Sequence, residues 1–341
     1  MANCHELFIA FGKQLEITET KISAMMKSRE VLRDRIRDNF KSNHPDYAVK
    51  FYIQGSYKMG TAIRTKDDDC DIDDGVYISP NPGVTCATIQ NWIFDAVEGI
   101  TETTPMRKNK CVRVSYKAGY HIDLPVYYMN DINDANETPH LAVRSSDFQE
   151  SDPRGVVEWF KSKKKDNAQL VNIVKYLKAW CDKVREKMPP GLAMSILAAN
   201  NQVKDTRDDI ALLKTIKAIK CALDKEFKCE VPAAPNDDIF EGFNEEKKSA
   251  IKNYLANFIA DAEKAVLEPN QLKASNLWRK HLGERFPLGE NKDDENLNKK
   301  FEGGRPSSII IGEKLDPKAL GALLSHFENK IMFQGFVWNL N

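Results

Sequence analysis

Long apolar runs are missing from this chain. Nowhere in its 341 residues do apolar side chains approach the roughly 20 in succession that a membrane-spanning helix needs. Net charge is missing as well: 50 Lys and Arg balance 50 Asp and Glu. No global field therefore holds a nucleic-acid polymer, and a polyanion site has to be a local patch. The 7 cysteines (Cys4, Cys70, Cys86, Cys111, Cys181, Cys221 and Cys229) include no CxxC pair, which removes the signature of a zinc ribbon or a disulfide framework. With 17 Gly and 15 Pro the chain is neither collagen-like nor low-complexity, and 42% hydrophobic with 29% charged residues is globular composition. The opening MANCHELFIAFGKQLE has no basic leader and no small-residue cleavage site, so a signal peptide is not expected. Reduced thiols in a cytoplasmic protein are. No internal repeat is visible. At roughly 100–200 residues per domain, the length suits two domains or one large α/β unit.

What is present changes character along the chain. Over residues 17–40, Ile22, Met25, Met26, Leu32, Ile36 and Phe40 fall on a helical stripe among Lys, Arg and Glu, which predicts one long amphipathic helix. The period then shortens. AVKFYIQ (48–54) is rich in β-formers, DIDDGVYI (71–78) alternates, and CVRVSY (111–116) pairs through KAG with YHIDLPVYY (120–128) as a hairpin. A helix over 86–97 lies between the second and third strands. From residue 153 the pattern is nearly all helical, with helices expected at 153–163, 167–187, 192–202, 207–227, 245–267 and 269–282. The charged stretch GENKDDENLNKKFEGG reads as a loop. After it come a strand-like SSIIIG, a helix over 317–327 and an apolar IMFQGFVW. The fold class is thus α+β: a mixed-sheet unit over 1–152, a mainly helical lobe over 153–341, and a cleft between them.

Three carboxylates carry the chemistry. On a strand, residues i and i+2 share a face, so Asp71 and Asp73 project together while Ile72 points into the core. Asp123 in HIDLPV sits on the polar face of another strand. Convergence of three acids is costly unless a cation neutralises them. Mg²⁺ suits the case, because it is held by one or two carboxylates together with substrate phosphates. Upstream, Gln54-Gly55-Ser56-Tyr57 follows a strand and precedes a helix start. Glycine lets a phosphate approach the backbone, and the serine hydroxyl with free N–H groups can hold it. A triphosphate turn beside an Asp-x-Asp strand and a third acid supports two-metal nucleotidyl transfer. A calcium loop starting at Asp69 fails at two positions, since position 6 is Asp74 rather than Gly and position 12 is Pro80 rather than Glu. Asp67, Asp68 and Asp69 read as a solvated loop.

QGSYKMGTAIRTKDDDCDIDDGVYI together with YHIDLPVYY resembles the active-site core of the cGAS/DncV-like nucleotidyltransferases (CD-NTases), and DIDDGVY and HIDLPVY are most similar to the DncV-type bacterial branch. The likeness extends more weakly through DPRGVVEWF, LVNIVKYLKAW and PPGLAMSILAAN; from about residue 205 only helical character matches. The resemblance implies a polymerase-β-like nucleotidyltransferase core, a long N-terminal helix bracing both lobes and a helical lobe closing the cleft. It implies an enzyme that condenses ATP and/or GTP into a cyclic di- or trinucleotide second messenger, with pyrophosphate release, in the antiviral (CBASS) defence of bacteria. Gly55 and Ser56 match the phosphate-binding Gly-Ser, with Gln54 and Tyr57 beside them. Asp71 and Asp73 match the metal pair, and Asp123 the third acid near the attacking hydroxyl, with two Mg²⁺ ions as cofactors and Mn²⁺ as a substitute. Lys175 matches a lysine reaching the triphosphate from the helical lobe, and Lys178 is a rival one turn away. The family's serine after that helix is replaced by Pro189-Pro190-Gly191, and Ser195 is the nearest serine.

The likeness also excludes. The animal DNA sensor of this superfamily carries a zinc-bearing His/Cys insertion that has no counterpart here, so long double-stranded DNA is not an expected activator. Arg107, Lys108, Lys110, Arg113 and the KSKKKD run read as solvated faces rather than a polymer track. The expected partners are the nucleoside triphosphates and a downstream effector that senses the product, with the enzyme itself a monomer. FVWNLN ends in Asn, so C-terminal conjugation by an accessory ligase is not expected. Two alternatives stand beside the cyclase reading: a linear-oligonucleotide or terminal nucleotidyltransferase, and a non-catalytic nucleotide-binding scaffold.

Overall fold

The computed structural model describes residues 1–291. The chain opens with helices α1 (His5–Leu15) and α2 (Glu19–Asn43), then strand β1 (Ala48–Gln54), the short helix α3 (Gly55–Met59), β2 (Asp71–Ser79) and α4 (Cys86–Val97). Six strands follow: β3 (Met106–Arg107), β4 (Val112–Tyr116), β5 (Tyr120–Leu124), β6 (Val126–Tyr128), β7 (His140–Ala142) and β8 (Phe148–Glu150). The remaining elements are helices: α5 (Pro153–Lys164), α6 (Gln169–Val184), α7 (Gly191–Asn201), α8 (Asp208–Lys225), α9 (Glu245–Leu267) and α10 (Gln271–Leu282). The expected helices of this half agree to within a few residues at each end. The expectations for the charged loop beyond Asn291, for SSIIIG, for 317–327 and for IMFQGFVW lie outside the described residues.

One mixed sheet runs β3-β4-β5-β2-β6-β7-β8, with β1 added on β2. Strand β2 is its axis, antiparallel to β1 and parallel to both β5 and β6. The break between β5 and β6 falls at Pro125, which has no N–H to give a ladder. Its carbonyl still accepts from the Val76 N–H at 2.8 Å, so the sheet continues past the break. The short strands β3, β7 and β8 were not expected from the pattern, being too brief to show a period.

Helices α2 and α4 cover one face of the sheet. Met25, Leu32, Ile36 and Phe40 of α2 and Ile89, Ile93 and Val97 of α4 are buried against Ile72, Val76 and Ile78 of β2. The chain's start departs from the expectation of one helix over 17–40. A second helix, α1, precedes it, and Thr18 separates the two by capping α2, its hydroxyl accepting from the Lys21 N–H at 3.3 Å. Helix α1 packs with the helical half. Phe8 meets Tyr176, Trp278 and Phe286 edge-on, with ring centres 4.8–5.1 Å apart. The Tyr176 hydroxyl donates to the Phe8 carbonyl at 2.9 Å. Residues near both ends of the described chain thus share one core.

Candidate active site

Alternation along β2 separates its acids. Asp71 and Asp73 share one face, while Ile72 and Asp74 are fully buried on the other. Asp74 is held there by α2: Arg33 donates to its two oxygens at 2.7 and 2.5 Å. The parallel register with β5 sets Asp71 opposite His121 and Asp73 opposite Asp123. Two strands thus put four polar side chains on one patch. Ligand atoms of Asp71, His121 and Asp123 all lie within 4.8 Å of one another. The Asp73 carboxyl is pushed up to about 7, first by burial, then by the charges of Asp71 and Asp123. Asp123 is gripped edge-on by Arg113 of β4, with both bonds at 2.7 Å. Asp68 of the acidic loop pairs with Lys21 and Arg64, and Asp67 with Arg185, so this loop is tied down by ion pairs.

The turn after β1 closes on this patch. Gly55 has φ +64°, and a Cβ there would lie 1.9 Å from Asp73 Oδ2. Only glycine fits, both for the backbone conformation and for the approach. Gln54 is buried, donating to the Tyr127 hydroxyl at 2.9 Å and accepting from the Tyr77 hydroxyl at 3.1 Å. Its role in this structure is to pin the turn to β2 and β6. Among the described residues the Ser56 hydroxyl has no hydrogen-bond partner, while the Ser56 carbonyl accepts from the Thr61 N–H at 2.9 Å.

A cleft of about 1430 Å³ runs between the sheet and the helices. Gln54, Gly55, Ser56, Asp71, Asp73 and Asp123 line its sheet side; Lys178, Cys181 and Asp182 of α6, the start of α7 and the loop over 231–242 line the other. Lys178 is the lysine that α6 turns inward. Burial pulls its ammonium down to about 8, against the opposing pull of Asp71 and Asp73. Lys175 is not among the lining residues. It faces α1 and pairs with Glu16 at 3.4 Å, because the buried stripe of α6 rotates that side away from the cleft. Tyr57 packs into the sheet core instead of the cleft. Ser195 is fully buried within α7 and donates to the Gly191 carbonyl at 2.9 Å, so it too is placed away from the cleft. His121 was not singled out in the sequence, although its i, i+2 spacing from Asp123 on HID puts both on one face.

The site thus sets the Asp-x-Asp of a mixed sheet next to a Gly-Ser turn, with the helical half across the cleft. Residues 49–127 match the family model described as the nucleotidyltransferase domain of cyclic GMP-AMP synthase DncV-like proteins. The cyclic GMP-AMP synthase of Escherichia albertii is 27% identical over 241 residues, 64% of this chain and 53% of that protein. The Vibrio cholerae DncV cyclic AMP-GMP synthase superposes with a TM-score of 0.71 at 18% identity, covering 84% of this chain and 97% of that one. The Bradyrhizobium diazoefficiens CD-NTase CdnG in complex with GTP gives 0.69 at 13% identity, covering 82% and 95%. These superpositions show the α+β fold with its helical lobe. A second family model, phosphoglucose isomerase, matches residues 238–341. Glucose-6-phosphate isomerase of Treponema denticola is 68% identical over 50 residues, 15% of this chain and 10% of that protein. The chain therefore spans about half the length of one curated relative and a tenth of the other. The isomerase likeness was not expected from the residue pattern.

Proposed function

We propose that this protein is a divalent-metal-dependent nucleotidyltransferase that joins ATP and/or GTP into a cyclic di- or trinucleotide, a second messenger sensed by a separate effector in antiviral signalling. The observation that carries this reading is the acidic face of β2 and β5 set beside the Gly55-Ser56 turn and opposite Lys178 in one cleft. Its residues fit a divalent cation: the carboxylates of Asp71, Asp73 and Asp123 crowd onto one face, and a cation there would offset their mutual repulsion. When bound, Mg²⁺ or Mn²⁺ supplies charge for the triphosphate and acidifies the attacking hydroxyl.

The chain's own groups take the other tasks. The Gly55 backbone and the unpartnered Ser56 hydroxyl receive a phosphate, and Lys178 adds a cation from the helical side. Asp71, Asp73 and Asp123 would hold the cations. Asp123, oriented by Arg113, faces the ribose hydroxyl and helps take its proton as that oxygen attacks the α-phosphorus and pyrophosphate leaves. A second such step closes the ring. Residues 1–152 supply the spine helix and the catalytic core, with α1 docked on the helical half, the helices from 153 form the lobe that closes over the core, and a monomer suffices for both. No isomerase activity is proposed, because the shared stretch is a tenth of that enzyme.

The test is incubation of the full chain with labelled ATP and GTP and Mg²⁺, then phosphatase. Phosphatase-resistant label is expected, lost in the Asp71→Asn, Asp73→Asn double variant. Label that phosphatase removes from product ends indicates a linear transferase. No product, from a chain that binds nucleotide, indicates a scaffold.

A further inference from the structure

His121 is the member of the acidic face with no part in the scheme above. It sits on β5 directly opposite Asp71 and two residues before Asp123, on their face of the sheet. Its ring reaches within 4.8 Å of both carboxylates. Its Nδ1 lies 3.3 Å from Oδ2 of Asp69, a residue of the loop before β2. A histidine that ligates a metal generally has its other nitrogen oriented by a carboxylate, and Asp69 stands in that place. With Nδ1 facing Asp69, Nε2 is the nitrogen left for a ligand. The Arg113 fork does not exhaust Asp123, since a carboxylate offers about four lone-pair sites.

We infer that His121 is a metal ligand, forming with Asp71 and Asp123 a nitrogen-containing site that takes Mn²⁺ in preference to Mg²⁺, with Asp69 as the positioning carboxylate. It rests on the reading of this face as the cation site of the proposed reaction. The chemistry follows from donor type. Mg²⁺ demands oxygen ligands and keeps its waters, whereas a borderline imidazole nitrogen favours first-row transition ions. An all-aspartate site has no such bias.

The experiment uses the full chain without nucleotide. Bound Mn²⁺ is counted by loss of the aqueous Mn²⁺ resonance in the presence of excess Mg²⁺, and its ligands are read by pulsed EPR for ¹⁴N coupling. The wild type is expected to show imidazole coupling and to retain Mn²⁺ against Mg²⁺. His121→Gln is expected to lose the coupling and the preference. Asp69→Asn is expected to keep the coupling but weaken Mn²⁺ binding by about tenfold. If His121→Gln does not fold, coupling in the wild type decides alone. Mn²⁺ bound without nitrogen coupling, or no Mn²⁺ retained at all, overturns the inference. Nitrogen-coupled Mn²⁺ in a chain that joins no triphosphates upholds it and overturns the proposed function instead. Joined triphosphates with no nitrogen coupling do the reverse.

Discussion

Lys178 of α6 donates to both the carbonyl and the hydroxyl of Thr61, each at 3.1 Å. The lysine that faces the carboxylate pair also anchors the chain just past the Gly55-Ser56 turn. Lys164 of α5 does the same one step earlier, donating to the Met59 carbonyl at 2.9 Å. The end of α3 and the buried residue just past its cap are thus held by two ammonium groups from the helical half, which satisfy carbonyls left unpaired where the helix stops.

Exchange of either α6 lysine separates two roles. Lys178→Met is expected to weaken triphosphate binding by about 1.5–3 kcal/mol, the worth of a hydrogen bond to a charged group. Lys175→Met breaks a pair whose Glu16 partner is largely solvent-exposed, and such pairs contribute roughly 0–1 kcal/mol. Nucleotide titration by calorimetry distinguishes them. Equal losses in the two variants would refute the placement of Lys178.

The turn tolerates no side chain at Gly55. Gly55→Ala faces about 1–2 kcal/mol for the left-handed backbone and in addition drives a methyl into the Asp73 carboxylate. It should bind triphosphate far more weakly than Ser56→Ala, whose expected loss is about 1–3 kcal/mol from a missing bond to a charged phosphate. Undiminished affinity in Gly55→Ala would show that the turn does not receive phosphate.

Asp73 makes the metal-free protein less stable as pH rises. Its carboxyl is pushed from 3.8 up to about 7 in the fold, so between those values the native state keeps a proton that the unfolded chain has released. The unfolded state then binds fewer protons, and stability falls as pH climbs through that window. Asp73→Asn has no such proton to lose. Melting curves in EDTA should show the variant gaining on the wild type from about pH 4 to about pH 7, with a constant gap above. A gap that does not change with pH would contradict the crowding of these acids.

Arg33 and Asp74 form the opposite case, a buried pair with no part in the cleft. Arg33→Met strands a fully buried carboxylate and should destabilise the chain by about 3–5 kcal/mol, measured by urea unfolding. Nucleotide affinity of the folded fraction should stay unchanged. A shift in affinity would mean that α2 reaches the cleft through β2.

Much of the candidate site is legible in the residue pattern. The strand at 71–78 alternates, so Asp71 and Asp73 have to share a face and Asp74 has to face the core beside Ile72. HID on the hairpin strand places Asp123 in the same way. His121 rides on that face too, but a pattern of carboxylates alone does not signal an imidazole. The helices from 153 to 282 are readable because each has enough turns to show a stripe. The strands of two or three residues are not, since nothing periodic fits in them.

Local periodicity is a property of the chain itself: side chains alternate along a strand and recur along a helix whatever packs against them. The acidic pair, the third acid, the glycine turn and the order of the longer elements after α1 were therefore determined by the sequence alone. What faces what across the cleft was not. The parallel register that puts Asp73 beside Asp123, the docking of α1 among Tyr176, Trp278 and Phe286, and the rotation of α6 that turns Lys178 inward and Lys175 toward Glu16 join residues some 50 to 280 positions apart. Only burial of those distant surfaces against one another selects a single arrangement, and that selection is made by the packed tertiary structure.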